Sequence, residues 1–544
     1  MSRDRELTAT RRAPGVARSS LTGALGTSAA RLTGLVRILT LAAVLGIGPL
    51  AEAYNLANTT PNIVYNLVAG GVLAEAVVPV FIERLAFATP ERAARDLSAV
   101  VSVAVVLLLG ATVAFVALAP VVIDLYNLGV HGPAARLQAR EATFLLRLFA
   151  PQLLLYGLID LVMAVLYARR RFAAAAFSPA ANNLVVVAVL LLALALAPHP
   201  TLAYAATHPA YGLLLGLGTT AGVGVQLLVL LPSFSRCGVH LRWHFDPRNA
   251  AVRKVVRLSG WTFGFVLANQ AALFVVLALA QSTRPADGVA AWTYAYAFFQ
   301  LPFGVVAVSI MNAVQPELAE RFAAGNRRGF RRRLGSGLRA TLGFVLPAAI
   351  GLGLLARPLV LVLLDHGNAS RAGTLDTASL LVSLASSLPG FSAFLYLARA
   401  WQAMQDTRTL FFLYLFENAL NVVLALALVV PFGLVGLGLS YAGAYSAAAV
   451  ASAIVLARRG YGPSAAELGR LVARTVPPAV AFALVVAGLR ELDLGAGDVG
   501  LFAELVLAGA GGVTVYVLVA AAGAAMSQRG GAGGRRRGGH RQWS

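Results

Sequence analysis

The sequence predicts an all-α polytopic membrane protein with about fourteen transmembrane helices, built as two parallel six-helix repeats followed by two C-terminal helices. Three observations support this fold class. First, 58% of the 544 residues are hydrophobic and only 12% are charged, whereas about a quarter of the residues in a soluble domain are charged. Second, long apolar segments recur along the whole chain. Third, several segments are repeated after 237 or 238 residues.

The apolar segments give the predicted spans. A helix of about 20 apolar residues is long enough to cross a bilayer. Fourteen segments meet this requirement: 22–46, 51–82, 97–123, 141–168, 176–197, 209–232, 253–281, 288–315, 337–365, 377–404, 409–430, 433–457, 471–489 and 499–526. An even number of spans places both ends of the chain on the same side of the membrane.

The basic residues indicate how these spans are oriented. When the N-terminal tail is assigned to the cytoplasm, 34 of the 44 Lys and Arg residues lie on cytoplasmic segments, five on outer loops and five within spans. This is a positive-inside pattern, so we expect a multi-pass plasma-membrane protein with both termini in the cytoplasm. The net charge of +21 is then a topology signal, which predicts anionic membrane lipids rather than nucleic acid as partners.

The repeated segments predict the domain organisation. Residues 79–86 (PVFIERLA) match 316–323 (PELAERFA), and 120–129 match 358–367. An even number of spans per copy makes the copies parallel, as in transporters that place substrate between two halves. We expect a basic tail (1–20), an N-terminal six-helix lobe (21–235), a cytoplasmic linker (236–252), a C-terminal six-helix lobe (253–459), two additional helices (460–526) and a second basic tail (527–544).

Two arginines lie within the first predicted span, at Arg31 and Arg37. An arginine at the centre of a membrane costs about 2.5–3.5 kcal/mol on insertion scales, and its guanidinium group stays charged. Snorkelling to the cytoplasmic face or a salt bridge is the structural explanation, and Glu52 is a candidate counter-charge. The functional explanation is a cavity that binds an anionic group such as a phosphate or diphosphate.

The second predicted span is polar and interrupted. Asn58 and Asn62 flank Pro61 in the sequence NTTPN, and Gly70 and Gly71 follow. Proline removes a backbone hydrogen bond and kinks a helix, and the neighbouring polar side chains can satisfy the freed groups. This pattern predicts a helix that bends around a cavity, with Asn58 and Asn62 as substrate-binding candidates.

Other acids also fall within spans, at Asp160 and Glu417. Glu417 and Asn421 are four residues apart and therefore lie on one helix face. Their oxygens could coordinate a cation such as Na⁺, and the alternative is hydrogen bonding between helices.

No pattern in the sequence indicates enzymatic chemistry. Cys237, His240 and His244 have a metal-like spacing, but they lack a nearby fourth ligand and lie in a basic loop. Nucleophile elbows, phosphate-binding loops and paired carboxylates are absent from the sequence. We therefore predict a protein that is not an enzyme and that has no metal site and no organic cofactor.

Several segments resemble the MurJ/MviN lipid II flippases, a family of the MOP/MATE-like superfamily. The sequence ARLTGLVRILTLAAVLG at 30–46 resembles their first helix, and the segment 52–81, from Glu52 through Pro61 and Asn62 to VVPVF, resembles their second. Residues 299–326 resemble the eighth helix and 346–367 the ninth. The resemblance covers about residues 20–460, implies fourteen helices, and points to an actinobacterial-type member.

The resemblance implies a flippase for lipid II, the undecaprenyl-diphosphate-linked peptidoglycan precursor, which the family moves to the outer leaflet by alternating access. It assigns functional roles to Arg31, Arg37 and Glu52. Na⁺ and the membrane potential are the candidate driving forces, and cell-wall synthesis proteins are candidate further partners. The chain departs from the family pattern at Ile38, where an acid is common, and at Tyr65 and Asn66, where a basic pair is common. An arginine of the eighth helix is also missing near Ala297.

Two other functions stay open because these departures make the cavity less positive. The first is export of another lipid-linked oligosaccharide or of a drug, although arginines disfavour a cationic drug. The second is a non-transporting membrane scaffold for cell-wall synthesis.

Overall fold

The computed structural model describes residues 13–70, 77–491 and 497–537. Within these ranges the chain forms twenty α-helices and two π-helical turns, and its β-type pairing is an isolated bridge between Ile47 and Ala369. Helices satisfy their own backbone hydrogen bonds, which is the requirement for crossing lipid. The all-α polytopic membrane fold predicted from the sequence is therefore confirmed.

Thirteen helices in the described part of the chain are long and apolar enough to cross a membrane. They correspond in order to thirteen of the fourteen predicted spans. The remaining candidate, 51–82, is helical up to Gly70 and again from Val78. Its central residues 71–76, including Gly71, lie outside the described residues.

The first of two compact units contains the chain up to Ala290 and the segment His366–Gly373. Its helices are α1 Ala13–Leu45, α2 Pro49–Tyr65, α3 Val78–Phe87, α4 Pro90–Tyr126, α5 Pro133–Phe149, α6 Gln152–Ala168, α7 Phe172–Leu196, α8 Leu202–Thr207, α9 Pro209–Ser235, α10 Ala250–Leu258 and α11 Gly260–Thr283. Helix α1 packs along α7, α7 packs on α9, and α2 packs on α5 and α6. Buried side chains of α4, α6, α9 and α10 form the largest described core of this unit.

The second unit contains Ala291–Asp365 and the chain from Thr374 onward. Its helices are α12 Gly288–Pro302, α13 Val308–Ala323, α14 Arg327–Leu354, α15 Ala356–Leu364, α16 Arg371–Ala403, α17 Thr407–Phe432, α18 Leu434–Arg458, α19 Ala465–Arg490 and α20 Asp498–Arg537. Helices α12 and α16 begin in the first unit. Helix α17 packs on α18, and α19 packs on both α14 and α20. The last two predicted spans thus belong to this unit.

The two π-helical turns have the spacing of the sequence repeat. They span Asn66–Gly70 and Phe303–Ala307 and begin 237 positions apart. A π-turn adds a residue to a helical turn and often marks a functional site. The two copies of the repeat therefore share a local distortion as well as a sequence pattern.

The compact units and the predicted lobes divide the chain at different places. Helix α11 lies in the predicted C-terminal lobe but packs on the first unit, where the rings of Phe274 and Tyr126 lie 4.3 Å apart. Gln281 also donates a hydrogen bond to Asn127 at 2.8 Å. The lobes are defined by the repeat and the units by packing, so the lobe boundaries stay a prediction.

The two predicted basic tails are partly helical. Helix α1 begins at Ala13, inside the predicted tail 1–20, and α20 continues to Arg537, inside the predicted tail 527–544. Residues 1–12 and 538–544 lie outside the described residues.

Candidate functional site

Helix α1 positions the two membrane arginines on different faces. The Asn183 side chain of α7 donates hydrogen bonds to the Ala30 carbonyl and the Thr33 hydroxyl, at 3.1 and 3.2 Å. With 3.6 residues per turn, Arg37 lies on the same face as Ala30 and Thr33, which is the face toward α7. Arg31 lies on a different face of α1, and both side chains are half-buried. Neither side chain forms an ion pair with a residue that the structure describes.

Arg37 lies close to a tyrosine of α6. Arg37 and Asn62 both lie within electrostatic range of the Tyr156 hydroxyl. The Asn62 Oδ1 atom accepts a hydrogen bond from Asn66 at 2.8 Å. An arginine from α1 and an asparagine from α2 therefore both lie near this tyrosine of α6.

Hydrogen bonds connect the Tyr156 hydroxyl of α6 to α9. Tyr156 donates to Gln152 Oε1 at 3.1 Å, and the Gln152 amide donates to the Thr220 hydroxyl at 3.2 Å. Thr220 in turn donates to the Leu148 carbonyl at 2.8 Å. We call Arg37, Asn62, Asn66, Gln152 and Tyr156 the N-terminal polar patch. A series of hydrogen bonds of this kind fixes the orientation of each polar group and polarises the neighbouring groups.

The acid Asp160 lies one helical turn beyond Tyr156. It accepts a hydrogen bond from the hydroxyl of Tyr65, whose ring centroid is 5.7 Å from that of Tyr156. Tyr65, one of the two positions where the sequence departs from the expected basic pair, is therefore a hydrogen-bond donor to an acid.

The other candidates on α2 differ in exposure. Asn62 is exposed and Asn58 is half-buried. Pro61 lies inside α2, and its predecessor Thr60 donates to the Leu56 carbonyl at 2.6 Å. The expected disruption of the helix follows five residues later, as the π-turn that begins at Asn66.

Glu52 does not pair with the arginines of α1. Its side chain is fully buried, and its two carboxyl oxygens accept hydrogen bonds from the backbone N–H groups of Val289 and Ala290, each at 2.7 Å. These N–H groups belong to the first turn of α12, where the helix leaves donors without intrahelical partners. Glu52 thus acts as the cap of a helix 237 residues away, and the geometry does not support the counter-charge interpretation.

The second unit contains the other candidate pair. Glu417 is 1% exposed, and neither of its carboxyl oxygens has a hydrogen-bond partner among the described residues. Three tyrosines, Tyr296, Tyr441 and Tyr445, lie within electrostatic range of its carboxyl group. Asn421, on the same helix, accepts a hydrogen bond from Ser440 at 3.0 Å. An unpartnered buried carboxyl group costs free energy, and its position among hydroxyls suits a bound cation or proton.

The residues of the metal-like Cys-His motif differ in burial. Cys237 is buried, whereas His240 is exposed. In the described ranges no group of three or more His, Cys, Asp and Glu residues lies close enough to hold a metal ion.

Sequence reasoning did not propose three members of the N-terminal polar patch as site residues: Asn66, Gln152 and Tyr156. Gln152 and Tyr156 follow Pro151 in a largely apolar helix, four residues apart. This spacing places both on one helix face. Two polar residues on one face of a membrane helix were the sequence pattern that could have predicted this site. Together with Arg37 they give the first unit a fixed positive charge surrounded by hydrogen-bond donors and acceptors. Such an arrangement can bind an anion such as a phosphate.

Comparison with known proteins identifies relatives over most of the chain. Residues 41–508 match the family model described as lipid II flippase MurJ. The chain is 28% identical over 406 residues to a probable lipid II flippase MurJ of Rhizobium meliloti, covering 74% of this chain and 73% of that protein. It is 27% identical over 421 residues to the Vibrio cholerae counterpart, covering 75% and 77%. The matched range contains Glu52, Glu417 and Asn421 but begins after the two arginines of α1.

Solved structures share the fold. A lipid II flippase MurJ in an inward closed conformation aligns with a TM-score of 0.74 and 19% identity, covering 92% of this chain and 98% of that one. An inward-facing multidrug resistance transporter of the MATE family, in the MOP superfamily, aligns with a TM-score of 0.66 and 15% identity, covering 80% and 98%.

Proposed function

This chain belongs to the lipid II flippase MurJ family, and we propose that it moves lipid II from the inner to the outer leaflet of the plasma membrane. Lipid II is a peptidoglycan precursor whose polyprenyl chain and sugar headgroup are joined by a diphosphate. Transport of this kind is a physical movement of the whole lipid by alternating access. We accordingly assign no covalent chemistry to the chain.

The position of Arg37 is the observation that best supports a diphosphate cargo. It carries a permanent charge in an apolar helix, has no ion pair in the described residues, and lies within electrostatic range of Tyr156, where hydrogen bonds to Gln152 and Thr220 begin. A guanidinium group binds phosphate oxygens in a bidentate manner, with charge-assisted hydrogen bonds about twice as strong as neutral ones. Asn62 and Asn66 add neutral donors next to it.

The competing functions make different predictions about this patch. A drug exporter for cations would need an acidic site, and the acid nearest to the patch, Asp160, is already hydrogen-bonded to Tyr65. A scaffold would need no particular residue at position 37. A flippase for another lipid-linked oligosaccharide would use the same diphosphate contact and would differ only in the sugars that it accepts.

Complementation of a bacterium depleted of its own flippase tests the proposal. The wild-type chain should restore growth and should move labelled lipid II to the outer leaflet. If it is inserted and abundant but restores neither, the chain is not a lipid II flippase. If the chain moves a different labelled lipid-linked oligosaccharide instead, that lipid is its cargo.

We assign the driving force to the second unit. Glu417 offers two unpartnered carboxyl oxygens in the described structure, and Asn421 offers an amide oxygen four residues later. Oxygen ligands of this kind suit a hard monovalent cation, and Na⁺ or the membrane potential would then supply the energy. Lipid II flipping in proteoliposomes should respond to a Na⁺ gradient in the wild type and in the control Glu320→Gln, but not in Glu417→Gln. Equal responses in all three would exclude this site.

We also propose that both termini face the cytoplasm, because 34 of 44 basic residues fall on that side. Cysteines can be placed at the exposed positions Ala134, near the start of α5, and Ala173, near the start of α7, in a chain whose only native cysteine, Cys237, is replaced by serine. An impermeant thiol reagent should label position 134 but not position 173 in intact cells. The reverse pattern would invert the topology.

A further inference from the structure

A cavity of about 810 Å³ lies in the first unit, away from the N-terminal polar patch. The N-terminal part of α4, the end of α6 and the segment that follows α9 enclose it. Five basic side chains and one tryptophan line the cavity: Arg95, Arg169, His240, Arg242, His244 and Trp243. The two histidines are those of the metal-like motif, so the structure places them beside arginines and not in a metal site.

The wall of this cavity is held in place by hydrogen bonds and by packing. The segment from Val239 to His244 is extended and lies along α4, where the Arg242 and His244 N–H groups donate to the hydroxyls of Ser98 and Ser102, each at 3.0 Å. Both serines are buried. Val239 and Leu241 pack against the core of the unit. These contacts hold the segment against α4, so the side chains of His240, Arg242 and His244 line the cavity.

The charges around the cavity are not balanced. None of the five basic side chains forms an ion pair with a residue that the structure describes. The nearby Asp96 already pairs with Arg84 at 3.4 Å and accepts a hydrogen bond from Asn249, and the neighbouring Glu83 pairs with Lys254. Glu91 is the one acid among the lining residues. The cavity therefore has an excess of positive charge and can accept an anion.

Apolar side chains project beside this positive cavity. Phe87 is 87% exposed, Trp243 is 69% exposed and Phe245 is 50% exposed. In water such exposure would be unfavourable, whereas tryptophan and other aromatic residues are enriched where a membrane protein meets the lipid headgroups. Arg169 belongs to the Arg cluster 169–171, which the proposed orientation places on the cytoplasmic side.

We propose that this cavity binds the phosphate headgroup of an anionic lipid from the cytoplasmic leaflet, as a site separate from the transport patch. The arginines supply charge-assisted hydrogen bonds to phosphate oxygens, and the exposed aromatic rings contact the acyl region of the same lipid. A soluble phosphate would use the arginines but would gain nothing from the rings. The inference uses the orientation proposed above but does not depend on the transported cargo.

Binding of phosphatidylglycerol to the purified full-length chain tests the site. Native mass spectrometry would compare the wild type with the triple variant Arg95→Ala, Arg169→Ala and Arg242→Ala. The matched control replaces three exposed arginines of the second unit, Arg328→Ala, Arg332→Ala and Arg408→Ala, which form no ion pair among the described residues. Both variants lose three positive charges. We expect the cavity variant to bind the tightest phosphatidylglycerol about tenfold more weakly or worse, and the control to bind it as the wild type does.

Further measurements separate this site from the alternatives. Replacing the same three cavity arginines with lysine should restore part of the affinity, because lysine keeps the charge but loses the planar fork. Thermal unfolding of the cavity variant should match the wild type, since these side chains are on the surface. An equal loss of binding in both alanine variants would show general surface attraction and overturn the proposal. Glycerol phosphate that displaces the lipid at equal concentration would also overturn it, by assigning the site to a soluble phosphate. Loss of flipping alone, with phosphatidylglycerol binding intact, would bear on the transport patch and not on this site.

Discussion

Replacing Glu52 with alanine should destabilise the first unit by removing the cap of α12. Glu52 is fully buried, and its carboxyl oxygens accept hydrogen bonds from Val289 and Ala290, each at 2.7 Å. Alanine leaves both N–H groups without this acceptor. Each buried donor left unsatisfied costs about 1–3 kcal/mol, so the expected loss is about 2–6 kcal/mol. Glutamine retains one acceptor oxygen in a side chain of the same size, which should reduce the loss to about half.

The single cysteine provides the assay for this prediction. Cys237 is buried, so a thiol-reactive dye becomes fluorescent only when heating exposes it. The apparent melting temperature in detergent should fall by several degrees in Glu52→Ala and by less in Glu52→Gln. Glu320→Ala is the matched control, because this exposed glutamate has no side-chain hydrogen bond or ion pair in the part of the chain that the structure describes. Its melting temperature should not change.

A Glu52→Ala chain that melts with the wild type would refute the capping role. If Glu52→Ala and Glu52→Gln lower the melting temperature equally, the charge of Glu52, and not its acceptor geometry, stabilises the first turn of α12. Transport should be measured on the same preparations, since a role in substrate binding would lower flipping in a variant that is still folded.

Three further predictions follow from the sites described above. At equal protein abundance, flipping should decrease in the order wild type, Arg37→Lys, Arg37→Ala, because lysine keeps the charge but not the bidentate geometry. Arg31→Ala should reduce flipping less than Arg37→Ala, and full complementation by Arg37→Ala would exclude diphosphate binding at Arg37. Tyr156→Phe removes the hydroxyl that donates to Gln152 and lies within electrostatic range of Arg37, so flipping should fall while stability changes by only about 1 kcal/mol. Unchanged flipping would show that these hydrogen bonds are structural. The Ser464 backbone N–H that donates to Glu467 lowers the pKa of that carboxyl below its usual 4.5, so the stabilisation from this carboxylate is present above pH 4.5 and is lost as the pH falls through the lowered value. Melting temperatures from circular dichroism should fall more steeply below pH 4.5 for the wild type than for Glu467→Gln, and parallel curves would contradict this.

The sequence by itself determined the class of the protein and the positions of its spans. Apolar segments of membrane length, separated by basic loops, are a local property that follows from the cost of placing polar groups in lipid. Thirteen of the fourteen predicted spans therefore correspond to helices in the described structure. The repeat was also readable, because its two copies keep prolines and glycines at a fixed offset, and the π-turns at Asn66 and Phe303 have the same offset.

The partners of the polar residues were decided only by the tertiary structure. A helix that is apolar on all sides gives no amphipathic stripe to show which face packs inward. The sequence therefore placed Glu52 near the arginines in one cavity, whereas packing brings it to the first turn of α12. The same packing places Tyr156 within electrostatic range of Arg37. It also places the basic segment from Val239 to His244 along α4, where it borders a cavity. These contacts join residues far apart in the chain, so local hydropathy carries no information about them.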